Sequence, residues 1–379
     1  MQKKIIVLAI ASALTAPALA FADTTVYGIL DAGYSSTSTT LSALAGGDTK
    51  TGIAAYGFST MTSSRLGFTA TEDMGGGMKA MVKIETGIGS NANAGAAASP
   101  TATPTPAPGN QATNGTTIDA TLLGSRELNA SVMMDATTVK LGFGSTMIRD
   151  ISLGYAPDPG GNLVGNILNA DATNLSSNRA TGLTVTQGFD KLTGTVQLTA
   201  RTRTADNTAD EKNANGYLLG AQYADGPISV AGAYQNQKFT TTAVLNPVTL
   251  TETTRKIFIL GGSYDLQVAK LIAEYASVKS DQTVVPVNNA KNSYFSFGAQ
   301  VPVGDKILAF AQISTGKVNR GTATAVDQTL KGFTVGGKYN MAKTTYAYAS
   351  VGNIKLDVQS GFNNGYKVDQ FALGLVRIF

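Results

Sequence analysis

The chain has 379 residues, of which 43% are hydrophobic and only 14% charged, against about 25% charged in an ordinary soluble protein. It contains no Cys, no His and no Trp, and its formal charge is +4. No disulfide can brace it, the commonest general base and metal ligand is missing, and the charge is too small to suggest a nucleic-acid partner.

Residues 1–22 read as a secretory signal. Lys3 and Lys4 form a basic start, Ile5 to Leu14 an apolar stretch too short to span a membrane, and Ala18-Leu19-Ala20 and Ala20-Phe21-Ala22 two small-x-small cleavage sites. Cleavage is expected after Ala22. It leaves residues 23–379 as one domain and, with Lys3 and Lys4 gone, a mature charge of +2. No later stretch runs to about 18 consecutive apolar residues, so no apolar helix crosses a membrane.

Alternation with a period of two dominates the rest. Leu66, Phe68 and Ala70 share one face, and Arg65, Gly67 and Thr69 the other. After a turn at Glu72–Gly77, the residues Met78, Ala80, Val82 and Ile84 alternate with Lys79, Met81, Lys83 and Glu85. A period of two means strand, and strands of about 9–11 residues suit a tilted bilayer crossing. Half of each strand can face lipid with no long apolar run, which reconciles low charge with the missing helix.

Sixteen strands are predicted, at 24–34, 63–71, 77–88, 126–134, 138–145, 179–189, 192–203, 215–224, 227–239, 254–264, 269–279, 292–301, 306–317, 330–339, 344–354 and 366–379. Their connections alternate between short turns rich in Asp, Gly, Pro and Asn and longer loops at 35–62, 89–125, 146–178 and 240–253. The expected fold is all-β: a 16-stranded antiparallel transmembrane β-barrel with short periplasmic turns and long external loops, closed by pairing the first strand with the last. The low-complexity run 91–115 reads as an external loop. Tyr27, Tyr34, Tyr223, Tyr234, Tyr264, Tyr275, Tyr294, Tyr339, Tyr346 and Tyr348 fall near strand ends and are expected in interfacial girdles.

Charge on the lipid face costs roughly 2–4 kcal/mol at mid-bilayer, so strand parity sends Arg65, Lys79, Lys83, Lys140 and Arg201 inward, with Asp31, Glu85 and Glu274. Such charges, focused by low-dielectric walls, select ions. The predicted function is a water-filled outer-membrane channel for small hydrophilic solutes and ions, weakly favouring anions. The alternative is a plugged barrel acting as an adhesin or structural protein. A barrel hydrolase would need a Ser-His or Asp-His pair. Gly75-Gly76-Gly77 lacks the Lys-Ser/Thr of a phosphate loop. Asp206, Asp210 and Glu211 lack calcium-loop spacing. No enzyme activity, cofactor or metal is expected.

Several stretches resemble the general-diffusion porins of Gram-negative bacteria, of the β-proteobacterial and neisserial type. They are Thr25-Val26-Tyr27-Gly28-Ile29-Leu30-Asp31, Ser64-Arg65-Leu66-Gly67-Phe68 followed by Glu72-Asp73-Met74-Gly75-Gly76-Gly77-Met78-Lys79-Ala80, Val139-Lys140-Leu141-Gly142, and the terminal Phe379. The resemblance implies a homotrimer in outer-membrane lipid and lipopolysaccharide, with Phe379 recognised by the outer-membrane assembly machinery. It implies a third external loop, here 146–178, folded into the pore on Gly160-Gly161. The loop's Asp150, Asp158 and Asp171 would then face wall residues Arg65, Arg126 and Arg179. Arg126 shares parity with Leu128, Ala130 and Val132, so its inward orientation needs a bulge or a strand-end position. Members of the family commonly carry more acidic residues in this loop.

Overall fold

The computed structural model describes residues 23–42, 48–88, 124–170, 175, 178–203, 212–243, 249–282, 290–319, 327–357 and 365–379. The expected leader, the low-complexity run, Asp206, Asp210, Glu211 and Asp171 lie outside the described residues, as does the side chain of Arg201.

Strands β1 (Asp23–Ser42), β2 (Thr49–Phe58), β3 (Arg65–Gly75), β4 (Met78–Gly87), β5 (Glu127–Met134) and β6 (Thr137–Ser145) precede two short helices, α1 (Met147–Gly154) and α2 (Ile167–Ala170). After them come β7 (Arg179–Phe189), β8 (Leu192–Arg203), β9 (Lys212–Asp225), β10 (Ile228–Ala243), β11 (Thr249–Asp265) and β12 (Lys270–Gln282). The chain ends with β13 (Ala290–Val303), β14 (Ile307–Asn319), β15 (Gln328–Ala342), β16 (Thr345–Leu356) and β17 (Gly365–Ile378). From β3 onward each strand pairs antiparallel with the next. β17 returns to β1, with Ile29 opposite Ile378, so no edge is left open. Asp135, Asp190 and Gly226 take positive φ at the tight turns, the conformation that Asp and Gly adopt most cheaply.

The barrel has sixteen staves because β2 and β3 share one. β3 pairs with the lower half of β1, Asp23 opposite Thr71 through Ile29 opposite Arg65. β2 pairs with the upper half, Ala32 opposite Phe58 through Leu41 opposite Thr49. Residues 35–62, expected as a loop, are therefore largely a hairpin extending the barrel wall. Between the half-staves residues 59–64 bulge inward, with Ser59 at φ 70°.

Outward positions carry Phe68, Val82, Leu128, Leu141, Leu183, Val196 and Leu198, all exposed for lipid to cover, while Asn129, Ser131, Thr184 and Gln197 turn inward. Part of the tyrosine expectation is corrected. Tyr27 donates from its hydroxyl to Glu85 Oε2 at 2.9 Å and Tyr348 to Asp31 Oδ1 at 2.7 Å, so both face the lumen. Tyr294 is buried and Tyr346 packs against the interior cluster of Met61, Leu163, Phe310 and Tyr348. Tyr223, Tyr264, Tyr275 and Tyr339 do face outward.

The apolar core lies inside the barrel, under the third loop. Ile148 and Ile151 from α1 and Tyr155 at its C-cap, with Val164, Ile167, Leu168 and Leu175, pack on Leu218, Ile257, Ile259, Ile272, Ala276 and Val278 of the wall. The i, i+3, i+7 spacing of Ile148, Ile151 and Tyr155 puts them on one helix face. Burying them drives the loop inward.

Candidate functional site

The third loop leaves β6 at Ser145 and is tied off at its base. Thr146 N donates to Asn178 O at 3.4 Å, and Thr146 Oγ1 to Asn178 Oδ1 at 2.6 Å. The same Thr146 oxygen caps α1 by accepting from Arg149 N at 3.4 Å. The loop then crosses the lumen. Gln300 Nε2 donates to Pro157 O at 3.0 Å, Ser314 Oγ to Gly165 O at 2.6 Å, and Gly165 N to Thr334 Oγ1 at 2.9 Å. Val164 N donates to Gln370 Oε1 at 3.2 Å. The loop is thus fastened to the wall from β13 round to β17.

The inward bulge 59–64 grips the loop's far turn. Asp31, fully buried, accepts from Met61 N at 2.6 Å and Thr62 N at 2.8 Å. Asn162 Nδ2 donates to Ser63 Oγ at 3.3 Å. Gly160 lies so close to the Met61 carbonyl that a Cβ there would collide with it, so this turn accepts only glycine at 160.

What the loop leaves open is the wall from β3 to β6. There a cavity of about 410 Å³ is lined by Arg65, Lys83, Arg126, Lys140 and Arg149 against Glu85, Glu127 and Asp150, with Met81, Asn129 and Ser145 between. Arg126 Nε pairs with Glu85 Oε1 at 2.7 Å, and Arg65 Nε lies 3.8 Å from Glu85 Oε2. Glu127 accepts from Ser145 N at 3.0 Å, Ser145 Oγ at 2.7 Å and Asn129 Nδ2 at 2.8 Å. Lys83 Nζ stands 5.7 Å from the centre of the Tyr27 ring. Both acids of the wall are thus neutralised or bonded, and cations outnumber anions on the lining.

The structure brings together Arg65, Arg126, Lys83, Lys140 and Asp150. Arg126 points inward because it precedes β5, where strand parity no longer applies. Arg179, at the first position of β7, lies within electrostatic range of Arg126, Arg149, Glu127 and Glu85. Lys79 does not join them: it is exposed on the lumen face below Met81, beside the Gly75–Gly77 turn.

Asp158 does not face the opening either. It is buried within the loop, accepting from Leu163 N at 3.1 Å and Asn166 Nδ2 at 3.3 Å. Burial pushes its carboxyl up to about 7. The loop's charge toward the opening comes instead from Arg149, absent from the predicted constriction set. Its Nη1 donates to Ser145 Oγ at 3.2 Å and stands 3.7 Å from Asp150 Oδ1. Burial and then Arg126 lower its guanidinium to about 10, so it stays cationic at neutral pH. Glu127 and Tyr27 are likewise absent from that set, although Tyr27 shares parity with Asp31 and Glu127 stands opposite Glu85 in the β4–β5 ladder.

A second cavity, about 360 Å³, lies on the other side of α1 and is lined by Lys140, Tyr155, Thr184, Thr195, Gln197 and Lys270, among others. Phe379 closes the barrel at its base. Gly28 N donates to Phe379 O at 2.9 Å, and Phe379 N to Gly28 O at 3.1 Å. Among the described residues no group of three or more acidic side chains could hold a metal ion.

A family model described as Gram-negative porin matches residues 7–359. The chain is 27% identical over 363 residues to outer membrane porin protein 32 of Delftia acidovorans, covering 94% of this chain and 90% of that one. The anion-selective porin from Comamonas acidovorans superposes with a TM-score of 0.66 at 20% identity, covering 94% of this chain and all of that one. The trimer form of OmpT from Vibrio cholerae superposes with a TM-score of 0.62 at 14% identity, covering 94% and 99%. OmpF of Salmonella typhi superposes with a TM-score of 0.61 at 16% identity, covering 95% and 98%.

Proposed function

The chain belongs to the Gram-negative porin family and forms an outer-membrane channel for passive diffusion rather than an enzyme, and we propose that its channel leans toward anions. The observation that carries this reading is the lining of the opening, five basic side chains against three acidic ones, with Glu85 already held by Arg126. In a narrow passage with low-dielectric walls such an excess attracts anions and repels cations. Arg65, Arg126 and Arg179 form the fixed positive wall, with Lys83 and Lys140 beside them. Arg149 supplies positive charge from the loop, and Asp150, 60% exposed at its side chain, tempers it. Lys79 adds to the field at the periplasmic mouth. Asp158 and Asp171 complete the predicted set, Asp158 as a residue that holds the loop's shape. The anion selectivity named for the Comamonas porin supports the same direction.

Three further assignments accompany it. Residues 1–22 are a cleaved export signal. Phe379 is the signal read by the assembly machinery. The barrel is a homotrimer in lipid and lipopolysaccharide, supported by the trimer form of the Vibrio cholerae neighbour. Unheated gel migration at three chain masses checks the last.

The test of selectivity is the zero-current potential across a planar bilayer under a KCl gradient. Wild type should give the sign of a chloride-preferring pore, and Arg65→Glu should move it toward potassium. A wild-type potential of the potassium sign would overturn the reading.

A further inference from the structure

The covered wall hides a polar patch that the channel does not use. Glu274 on β12 is almost completely buried, and both its carboxylate oxygens lack a hydrogen-bond partner among the described residues. Directly opposite in the β12–β13 ladder stands Ser296, fully buried, its hydroxyl also without a partner. Two residues along β13, Gly298 faces Gln312 of β14, and the Gln312 side-chain oxygen is again buried and unpartnered.

The loop forms the roof. Tyr155 covers Gly261, the other ladder neighbour of Glu274, and Pro157 covers Gly298. Gln312 Nε2 donates to Gly165 O at 3.2 Å, which ties it to the loop one residue before Asn166. Asn166 Nδ2 donates to Asp158 Oδ1, while Asn166 Oδ1 has no partner. Asp158 lies within electrostatic reach of Glu274. No basic side chain forms an ion pair with either acid among the described residues.

All the unpartnered atoms here are oxygens, and each can accept. Buried polar groups are ordinarily satisfied, and a buried acid is ordinarily paired or bound to a metal. Even with both carboxyls protonated, they and the Ser296 hydroxyl would supply three donors for the four acceptors left vacant. A divalent cation satisfies all of them and matches two carboxylates in charge. Glu274 through two oxygens, with one each from Asp158, Asn166, Ser296 and Gln312, offers about six oxygens, within the range that calcium takes. We propose that these residues bind one calcium-type divalent cation that staples the constriction loop to the barrel wall.

The experiment uses full-length protein refolded free of lipopolysaccharide, which would otherwise carry cations of its own. Calcium binding is measured by equilibrium dialysis, and the unfolding midpoint is followed with and without a chelator. Wild type and the surface control Asp305→Asn should each bind about one calcium per chain and lose several degrees of midpoint on chelation. Glu274→Gln should bind at least tenfold more weakly and ignore the chelator. Ser296→Ala, which removes only a neutral ligand and guards against misfolding of the first variant, should weaken binding severalfold. Absence of stoichiometric binding to folded wild type, or equal binding by wild type and Glu274→Gln, would overturn the proposal and leave the patch held by protons or water.

Discussion

The two halves of the inner wall obey opposite rules. From β3 to β6 most inward side chains are charged or polar, among them Arg65, Lys83, Glu85, Glu127, Asn129 and Lys140, and they line an opening. From β11 to β17 many are apolar, including Ile257, Ile259, Ile272, Val278, Ile354 and Val368, and the third loop covers them. The bare half performs the selection and the covered half holds the object that makes the opening narrow. A single loop divides the lumen because one face of α1 is apolar while Arg149 and Asp150 point the other way.

The contrast can be broken most severely at Arg126. Its guanidinium and the Glu85 carboxylate are both nearly buried, and removing one partner of such a pair costs about 3–5 kcal/mol. Arg126→Met should lower the unfolding midpoint and shift the zero-current potential toward potassium; a purely structural pair would change the first alone. Next comes the covered half. Ile151→Ala opens a cavity under α1, at a cost of about 2–5 kcal/mol. Single-channel recordings should show noisier and larger conductance with selectivity weakened. Unchanged conductance would mean that the loop is not held by this core. Smaller again is Asp31→Asn, which weakens the bonds to Met61 N and Thr62 N by about 1–3 kcal/mol. It should increase spontaneous loop fluctuations in recordings and leave the sign of selectivity intact.

The smallest effect is an expected constancy. The chain has no His, and Arg149 loses its charge only as pH rises through about 10. Anion preference should therefore hold at neutral pH and lose the Arg149 contribution as pH rises toward 10. A midpoint near neutral pH would point to another group controlling the field.

The sequence made the bare half readable because lipid on one side and water on the other enforce alternation. Leu66, Phe68, Val82 and Leu128 declare the outside, and Arg65 and Lys83 the inside. Where those boundary conditions end, the pattern ends. The upper half of β1 and most of β2 are rich in Ser, Thr, Gly and Ala and lack the apolar alternation that lipid enforces, so nothing marks them as strand. Arg126 defied parity because it stands one residue before its strand. The covered half did leave a trace: Ile257, Phe258, Ile259 and Leu260 are apolar on both faces, as in a strand packed on two sides. Asp158 could not be separated from Asp150 by sequence, since only the folded loop turns one inward and leaves the other at the opening.

Thiol accessibility tests the division of the lumen most directly, because the native chain has no cysteine. Asn129→Cys places one thiol on the bare wall, and Ser314→Cys places one beneath Gly165 on the covered wall. A small charged thiol reagent added during recording should react with the first and reduce its current within minutes, and leave the second unchanged. Rapid block of Ser314→Cys with Asn129→Cys inert would contradict the account, placing the conducting path on the wall assigned here to the loop.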